Sequence, residues 1–192
     1  MPEEMDYEKN LVWRASRDPA AFQVLYEHYF DRVYRYVAAR VSNPQDTEDV
    51  VSDIFLLVMT RLKHFRNNNK HSFAAWIFTI SRNAIVDFYR HRDRLPAQVS
   101  IEHSTEQRSD DIGLDEKMIE QERAEALRSL LQVLPKRRRE VVILRYYAGL
   151  RNLEIAQVLD IDERTVASHL SRGLKDLYEA YQEISIGCEN EE

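Results

Sequence analysis

Apolar residues recur along this chain at spacings of three and four, which is the period of helices with one buried face. Phe22, Leu25, Tyr26, Tyr29, Val33, Tyr36 and Val37 predict a first helix over Ala20–Val41, after a short polar stretch from Met1 to Pro19 that ends in a helical turn. Ser42-Asn43-Pro44 breaks the chain and caps a second helix over Asp46–Leu62, with Val50, Val51, Ile54, Phe55, Val58 and Leu62 facing inward. A polar loop, Lys63 to Ser72, closed by an N-cap at Ser72, leads into a third helix over Phe73–Arg92. Its inner side is Phe73, Trp76, Ile77, Ile80, Ala84 and Phe88. Thr79, Arg82, Asn83, Val86 and Arg90 face outward, with Phe78 and Tyr89 beside them. Asp87 falls among the apolar positions, and a buried carboxylate needs a partner, so it is assigned to an arginine such as Arg35 or Arg40.

The period vanishes over Asp93–Asp115, which holds Pro96, Gly113 and many polar residues and reads as a flexible linker. It returns over Glu116–Val133 with Ile119, Ala124, Leu127, Leu130, Leu131 and Leu134. Leu134-Pro135 then breaks into a helix over Lys136–Tyr147 with a buried section, Val141-Val142-Leu144-Arg145-Tyr146. Two short helices at a sharp turn follow, Leu153–Leu159 and Glu163–Leu177, the second capped by Asp162. On a helical wheel Val166, Leu170, Gly173, Leu174 and Leu177 lie together, opposite Thr165, Ser168, His169 and Arg172. The pattern predicts an all-α protein of two small helical domains joined by an acidic linker. The divisions fall at residues 1–92, 93–118 and 119–182, with an acidic tail over 183–192.

Composition agrees: 192 residues with only four Gly and five Pro. No apolar run reaches the roughly 18 residues of a membrane span, and the first residues lack a leader pattern, so a cytoplasmic location is expected. The single cysteine, Cys188, allows neither a disulfide nor a cysteine zinc site within one chain, and no metal or nucleophile–base constellation calls for a cofactor or suggests an enzyme. The net charge of −6 hides a pattern. Arg61–Arg92 carries seven Lys/Arg against one acid and Ala126–Gln182 ten against seven, while Asp93–Glu125 carries ten acids against four bases. Two base-rich regions flank an acidic bridge, so the free chain is expected to bind duplex DNA weakly and to need a partner.

Four surfaces could carry chemistry. Asp46, Asp49 and Asp53 share a face flanked by Leu56 and Leu57. Acids in a first turn suit the helix dipole, but leucines beside carboxylates suit a basic partner helix. The loop residues Arg66, Asn67, Asn68, Asn69 and Lys70 offer amides for base edges and cations for phosphates, though asparagines also simply form turns. The outer face of the third helix, with Thr79, Arg82, Asn83 and Arg90, interleaves cations, amides and rings as single-strand binders do. The last helix fits either a major-groove reader or a solvated helical corner, and four cations at Lys136–Arg139 oppose the dipole of their own helix unless they meet phosphate.

The residues so assembled resemble a bacterial RNA polymerase sigma factor of the extracytoplasmic-function (ECF) group within the sigma-70 family. Asp46-Thr47-Glu48-Asp49-Val50-Val51-Ser52-Asp53-Ile54-Phe55 is similar to that family's DAEDLVQEVF segment, and Phe73 to Asn83 with Asp87 and Arg90 to its FxxWLxxIARN segment. Leu134-Pro135, Arg139, Val142-Ile143-Leu144-Arg145, Gly149-Leu150, Glu154-Ile155-Ala156, Thr165-Val166 and Ser168 match the second domain's pattern. The resemblance implies that Asp46, Asp49, Asp53, Leu56 and Leu57 bind the clamp helices of core RNA polymerase. It assigns capture of the melted minus-10 strand to the loop 66–70 with Thr79, Arg82, Asn83 and Arg90. Arg139, Thr165, Ser168, His169 and Arg172 would read the minus-35 duplex, the second domain would touch the polymerase flap, and an anti-sigma factor is an implied partner. Two departures stand out. Asp160 occupies a turn position where members often have Gly, and Ala167 and His169 stand where they often have Lys and Arg, so minus-35 binding is expected to be weaker.

Two other readings stay open: a stand-alone helix-turn-helix regulator that binds duplex DNA without polymerase, and a sigma-like protein that binds an anti-sigma factor. The first needs a dimerisation segment, of which no heptad pattern gives a sign. The second would tolerate loss of Asn83 and Arg172.

Overall fold

The structure is a computed structural model that describes residues 2–41, 43–65, 72–94 and 125–189, with side chains from residue 8 to residue 183 of these stretches; every regular element among them is a helix. The first, α1 (Pro2–Ala15), occupies most of the stretch expected to be a short polar lead-in. Its described buried residues, Leu11, Val12 and Ala15, are gathered in its last five positions, where α1 packs on the next helix. A short helix of this kind is stabilised by tertiary contact more than by its own pattern.

Helix α2 (Pro19–Ala38) starts where Asp18 accepts the Ala20 N–H at 3.0 Å and Pro19 takes the first helical position. It buries Ala21, Leu25, Tyr29, Val33, Tyr36 and Val37. Tyr26, expected on this stripe, lies at its edge and is 36% exposed. Helix α3 (Pro44–Arg61) is capped by Asn43, whose side-chain oxygen accepts the Asp46 N–H at 3.1 Å. Thr47 is buried because its hydroxyl donates to the carbonyls of Val41 and Asn43 at 3.2 and 2.9 Å, which ties the start of α3 to the end of α2. A 3-10 turn, Leu62–His64, follows.

Helix α4 (Phe73–Arg92) is capped by the Ser72 hydroxyl, which accepts the Ala75 N–H at 3.1 Å. Phe73 and Phe78 meet Tyr29 and Tyr36 edge to face, with ring centroids 5.1 and 5.4 Å apart. Two sequence expectations fail here. Phe78 is fully buried, and Asp87 is exposed and pairs with Arg90 of its own helix at 3.5 Å. Both errors come from a wheel centred on Trp76, Ala84 and Phe88, which are only half-buried; α4 is covered by α2 and α3 on a face turned toward Ala74, Phe78, Ser81 and Ile85.

The second half comprises α5 (residues 125–133), α6 (Lys136–Tyr146), α7 (Asn152–Leu159) and α8 (Glu163–Glu189). Val141, Val142, Ile143 and Leu144 are all buried, because α6 has neighbours on several sides. Arg145 and Tyr146, expected in that buried section, are not: Arg145 reaches the Leu150 carbonyl at 2.9 Å and Tyr146 is largely exposed. Where α6 and α8 cross, a Cβ on Gly173 would stand 3.1 Å from Val142 Cγ2, and Arg138 pairs with Asp176 at 2.5 Å. α8 extends twelve residues past the predicted end at Leu177. The predicted linker beyond residue 94 and the start of the helix expected from Glu116 lie outside the described residues, as does the tail beyond 189.

The two halves touch. α4 packs on α7, and the N–H of Ser72 donates to the Gln157 side-chain oxygen at 3.4 Å. Arg32 of α2 donates to the Ala148 carbonyl at 2.8 Å.

Candidate protein and nucleic-acid interfaces

The five residues of the acidic strip share one surface. Asp46, Asp49, Asp53, Leu56 and Leu57 line a groove of about 800 Å³ between α3 and α4, together with Val50, Thr60, Ala84, Asp87, Phe88, His91 and Arg92. Asp49, Asp53 and Leu56 are exposed, and Asp46 and Leu57 half-buried. Asp87 brings a fourth carboxylate and Phe88 an aromatic wall. Sequence reasoning missed both, since only the α3–α4 packing sets them opposite Asp46, which lies more than forty positions earlier. A channel with carboxylates along one side and leucines at its rim suits a helix bearing both cations and apolar residues.

The candidate strand-binding residues of α4 fall into two environments. Asn83 and Arg90 are exposed, the latter beside Asp87. Thr79 is half-buried and its hydroxyl donates to the Ala75 carbonyl at 2.8 Å. Arg82 points across to the second half: its Nε donates to Glu140 Oε1 of α6 at 2.7 Å, and Arg40 Nη1 reaches the same oxygen at 3.5 Å. Glu140 is 5% exposed, so this carboxylate is buried between two guanidiniums. The loop residues Arg66, Asn67, Asn68, Asn69 and Lys70 lie outside the described residues.

The helix-turn-helix is α7, a three-residue turn and α8. At its start the N–H of Arg151 donates to Glu154 Oε2 at 2.8 Å; the guanidinium of Arg151 also donates to Glu154, and this hydrogen bond and charge hold it above its usual range. At the turn Asp160 adopts a left-handed conformation with φ 53°, and its N–H bonds to Ala156 O. The conformation is one that Gly takes without steric cost, which fits the residue often found there in the family that the sequence resembles. Asp162 caps α8 as expected, accepting the Thr165 N–H at 2.8 Å and the Thr165 hydroxyl at 2.6 Å. These bonds, first the hydroxyl and then the backbone, hold its carboxyl below the usual carboxylate range. Thr165, Ser168 and His169 are half-buried and Arg172 exposed, while Val166 on the opposite side is fully buried. Arg139 is turned away from this group. Its guanidinium donates to Gln132 Oε1 and to the carbonyls of Gln132 and Leu134 at 2.5, 2.8 and 2.9 Å, closing the end of α5.

Among the described residues no cluster of metal-ligating side chains is present, and no helix is long and apolar enough to cross a membrane.

Comparison with known proteins gives two family matches: residues 25–95 to sigma-70 region 2 and residues 124–177 to sigma-70 region 4. The chain is 30% identical over 168 residues to the ECF RNA polymerase sigma factor BldN of Streptomyces coelicolor, a match that spans 87% of this chain and 63% of that protein. Its fold is similar to that of CnrH in complex with the cytosolic domain of CnrY, with a TM-score of 0.69 at 23% identity, covering 91% of this chain and 97% of the other. It is also similar to the sigma factor RpoE of Bartonella quintana, solved with the anti-sigma factor NepR, with a TM-score of 0.60 at 20% identity over 84% of this chain and 96% of that one.

Proposed function

We propose, from the premise that the chain belongs to the sigma-70 family of RNA polymerase sigma factors, that it is a cytoplasmic promoter-specificity factor that performs no chemistry of its own. In this reading core RNA polymerase lays its clamp helices along the acidic groove between α3 and α4, where Asp46, Asp49 and Asp53 meet cations and Leu56 and Leu57 meet apolar side chains. The exposed face of α4, with Asn83 and Arg90, captures the melted minus-10 strand together with Arg66, Asn67, Asn68, Asn69 and Lys70. The N-terminal part of α8 reads the minus-35 duplex through Thr165, Ser168, His169 and Arg172, and Arg139 supports that element from α6 by closing the end of α5. Thr165 would contact DNA through its methyl group or as an acceptor, since its hydroxyl proton is committed to Asp162. The second half also meets the polymerase flap, and an anti-sigma factor binds the free chain, as NepR is found with RpoE of Bartonella quintana.

The observation that carries this reading is the groove itself. Four carboxylates and two leucines converge from two helices on one open groove. The test is core binding. Asp49→Lys/Asp53→Lys in the full chain should weaken binding to core polymerase at least tenfold in a fluorescence-anisotropy titration, with folding checked by circular dichroism. Unchanged affinity of the folded variant would move the interface elsewhere.

A stand-alone DNA-binding regulator is the second reading. The net charge of −6 counts against it.

A further inference from the structure

The buried carboxylate of Glu140 occupies a site that belongs to the other half of the chain. Arg40 follows the C-terminal end of α2 and Arg82 projects from the middle of α4, yet both guanidiniums converge on Glu140 Oε1, at 3.5 and 2.7 Å. Arg40 is held in place independently of Glu140, since its backbone carbonyl accepts the Tyr89 hydroxyl at 2.5 Å and its guanidinium lies 5.6 Å from the centroid of the Tyr36 ring. The Tyr36 hydroxyl is buried with no hydrogen-bond partner. The first half thus presents two converging guanidiniums, that of Arg40 held over the Tyr36 ring, beside a hydroxyl with no partner, which is the equipment of an oxyanion site. Arg82 immediately precedes Asn83 on the helix assigned to the melted strand. The surrounding stretch Arg61–Arg92 carries seven bases and one acid.

Taken together, the geometry points to a phosphate-binding site formed by Arg40 and Arg82, which takes a backbone phosphate of the melted promoter strand when the halves separate and is filled by the Glu140 carboxylate while they are together. This rests on the sigma-factor reading for the identity of the strand, and adds Arg40 as a DNA contact and Glu140 as an internal competitor. The two occupants exclude one another, because one oxygen of Glu140 takes both arginines. Any agent that draws α6 away from α4 therefore unmasks the site. DNA bound there in turn favours the separated state, by the reciprocity of linked equilibria.

The test uses the full chain in two settings. In the first, the free protein is titrated with a fluorescein-labelled single-stranded DNA 20-mer. Glu140→Gln keeps the size of the side chain and removes its charge, and should tighten binding about tenfold as the competent fraction rises. Adding Arg40→Gln should cancel that gain. In the second, holoenzyme made with core polymerase is titrated with forked promoter DNA over a range of salt. Arg40→Gln should lower the salt slope by about one, and Arg40→Lys should restore it. The proposal is overturned if Glu140→Gln binds the 20-mer no better than the parent, if its gain survives Arg40→Gln, or if Arg40→Gln leaves the salt slope intact. Loss of core binding by Arg40→Gln at an unchanged salt slope would instead assign the pair to a protein carboxylate. If Glu140→Gln does not fold, the two Arg40 variants in holoenzyme decide alone. A parent chain that fails to bind core polymerase sinks the sigma-factor reading, and the free-protein titration then still decides the anion site.

Discussion

The hydroxyl of Ser72 accepts the Ala75 N–H to cap α4 and lies 3.3 Å from Glu154 Oε1, to which it donates, while Glu154 itself accepts the backbone N–H of Arg151 at the start of α7. Two helix ends, one from each half, are thus closed by a single side-chain pair. Glu154 is buried, and its negative charge stands near the positive ends of both helix dipoles.

Ser72→Ala removes a cap and a contact between the halves at once. The loss of stability should be about 1–2 kcal/mol, the upper part of the range for a cap, because Glu154 also loses a donor. Ser72→Thr keeps the hydroxyl and should recover most of it. Urea denaturation of the three proteins measures this.

Asp160 holds a left-handed turn that costs an L-residue more than it costs Gly. Asp160→Gly should raise stability by about 0.5–1 kcal/mol, the lower strain exceeding the greater freedom of the unfolded chain, and should leave DNA affinity unchanged. A melting curve and a promoter-binding titration together check it. A less stable variant would show that the aspartate stabilises the turn by a contact other than its backbone conformation.

The elements were legible in the sequence wherever one face is buried and the other solvated. The caps Asn43, Ser72 and Asp162 and the turn at Asp160–Asp162 followed from local chemistry alone. The failures arise where burial comes from partners distant in the chain. The described buried residues of α1 lie in its last five positions, too short a run to mark out the whole helix, and Phe78 and Asp87 exchange roles because α4 is covered along a line its own spacing does not reveal. The candidate interface on α3 could be read because its five residues lie within twelve positions. Asp87 and Phe88 in the same groove, and the meeting of Arg40, Arg82 and Glu140, depend on how helices pack and have no local signature.

Alkaline pH should destabilise the first half. Burial, with Glu140 adding to it and the nearby arginines opposing, pushes the Tyr36 phenol up to about 12, and burial together with Glu8 pushes Tyr29 up as well. Both are neutral in the folded chain at a pH where the unfolded chain already ionises. Their contribution is therefore complete below about pH 10 and is lost as pH rises toward the folded value, each phenol weakening the fold by roughly 1.4 kcal/mol for every pH unit climbed within that window. Denaturant midpoints measured from pH 8 to 11.5 should fall steeply above pH 10. Tyr36→Phe, which also removes a buried hydroxyl without a partner, should fall less steeply and start no lower than the parent.

The most direct measurement of the central claim is transcription in vitro with core RNA polymerase, the purified chain and a pool of promoter-length templates, with start sites mapped on the transcripts. The account predicts transcripts with defined start sites that appear only when the chain is added and that decline with Asp49→Lys/Asp53→Lys. A folded chain that binds core polymerase yet yields no start-site-specific transcript from any template would contradict it.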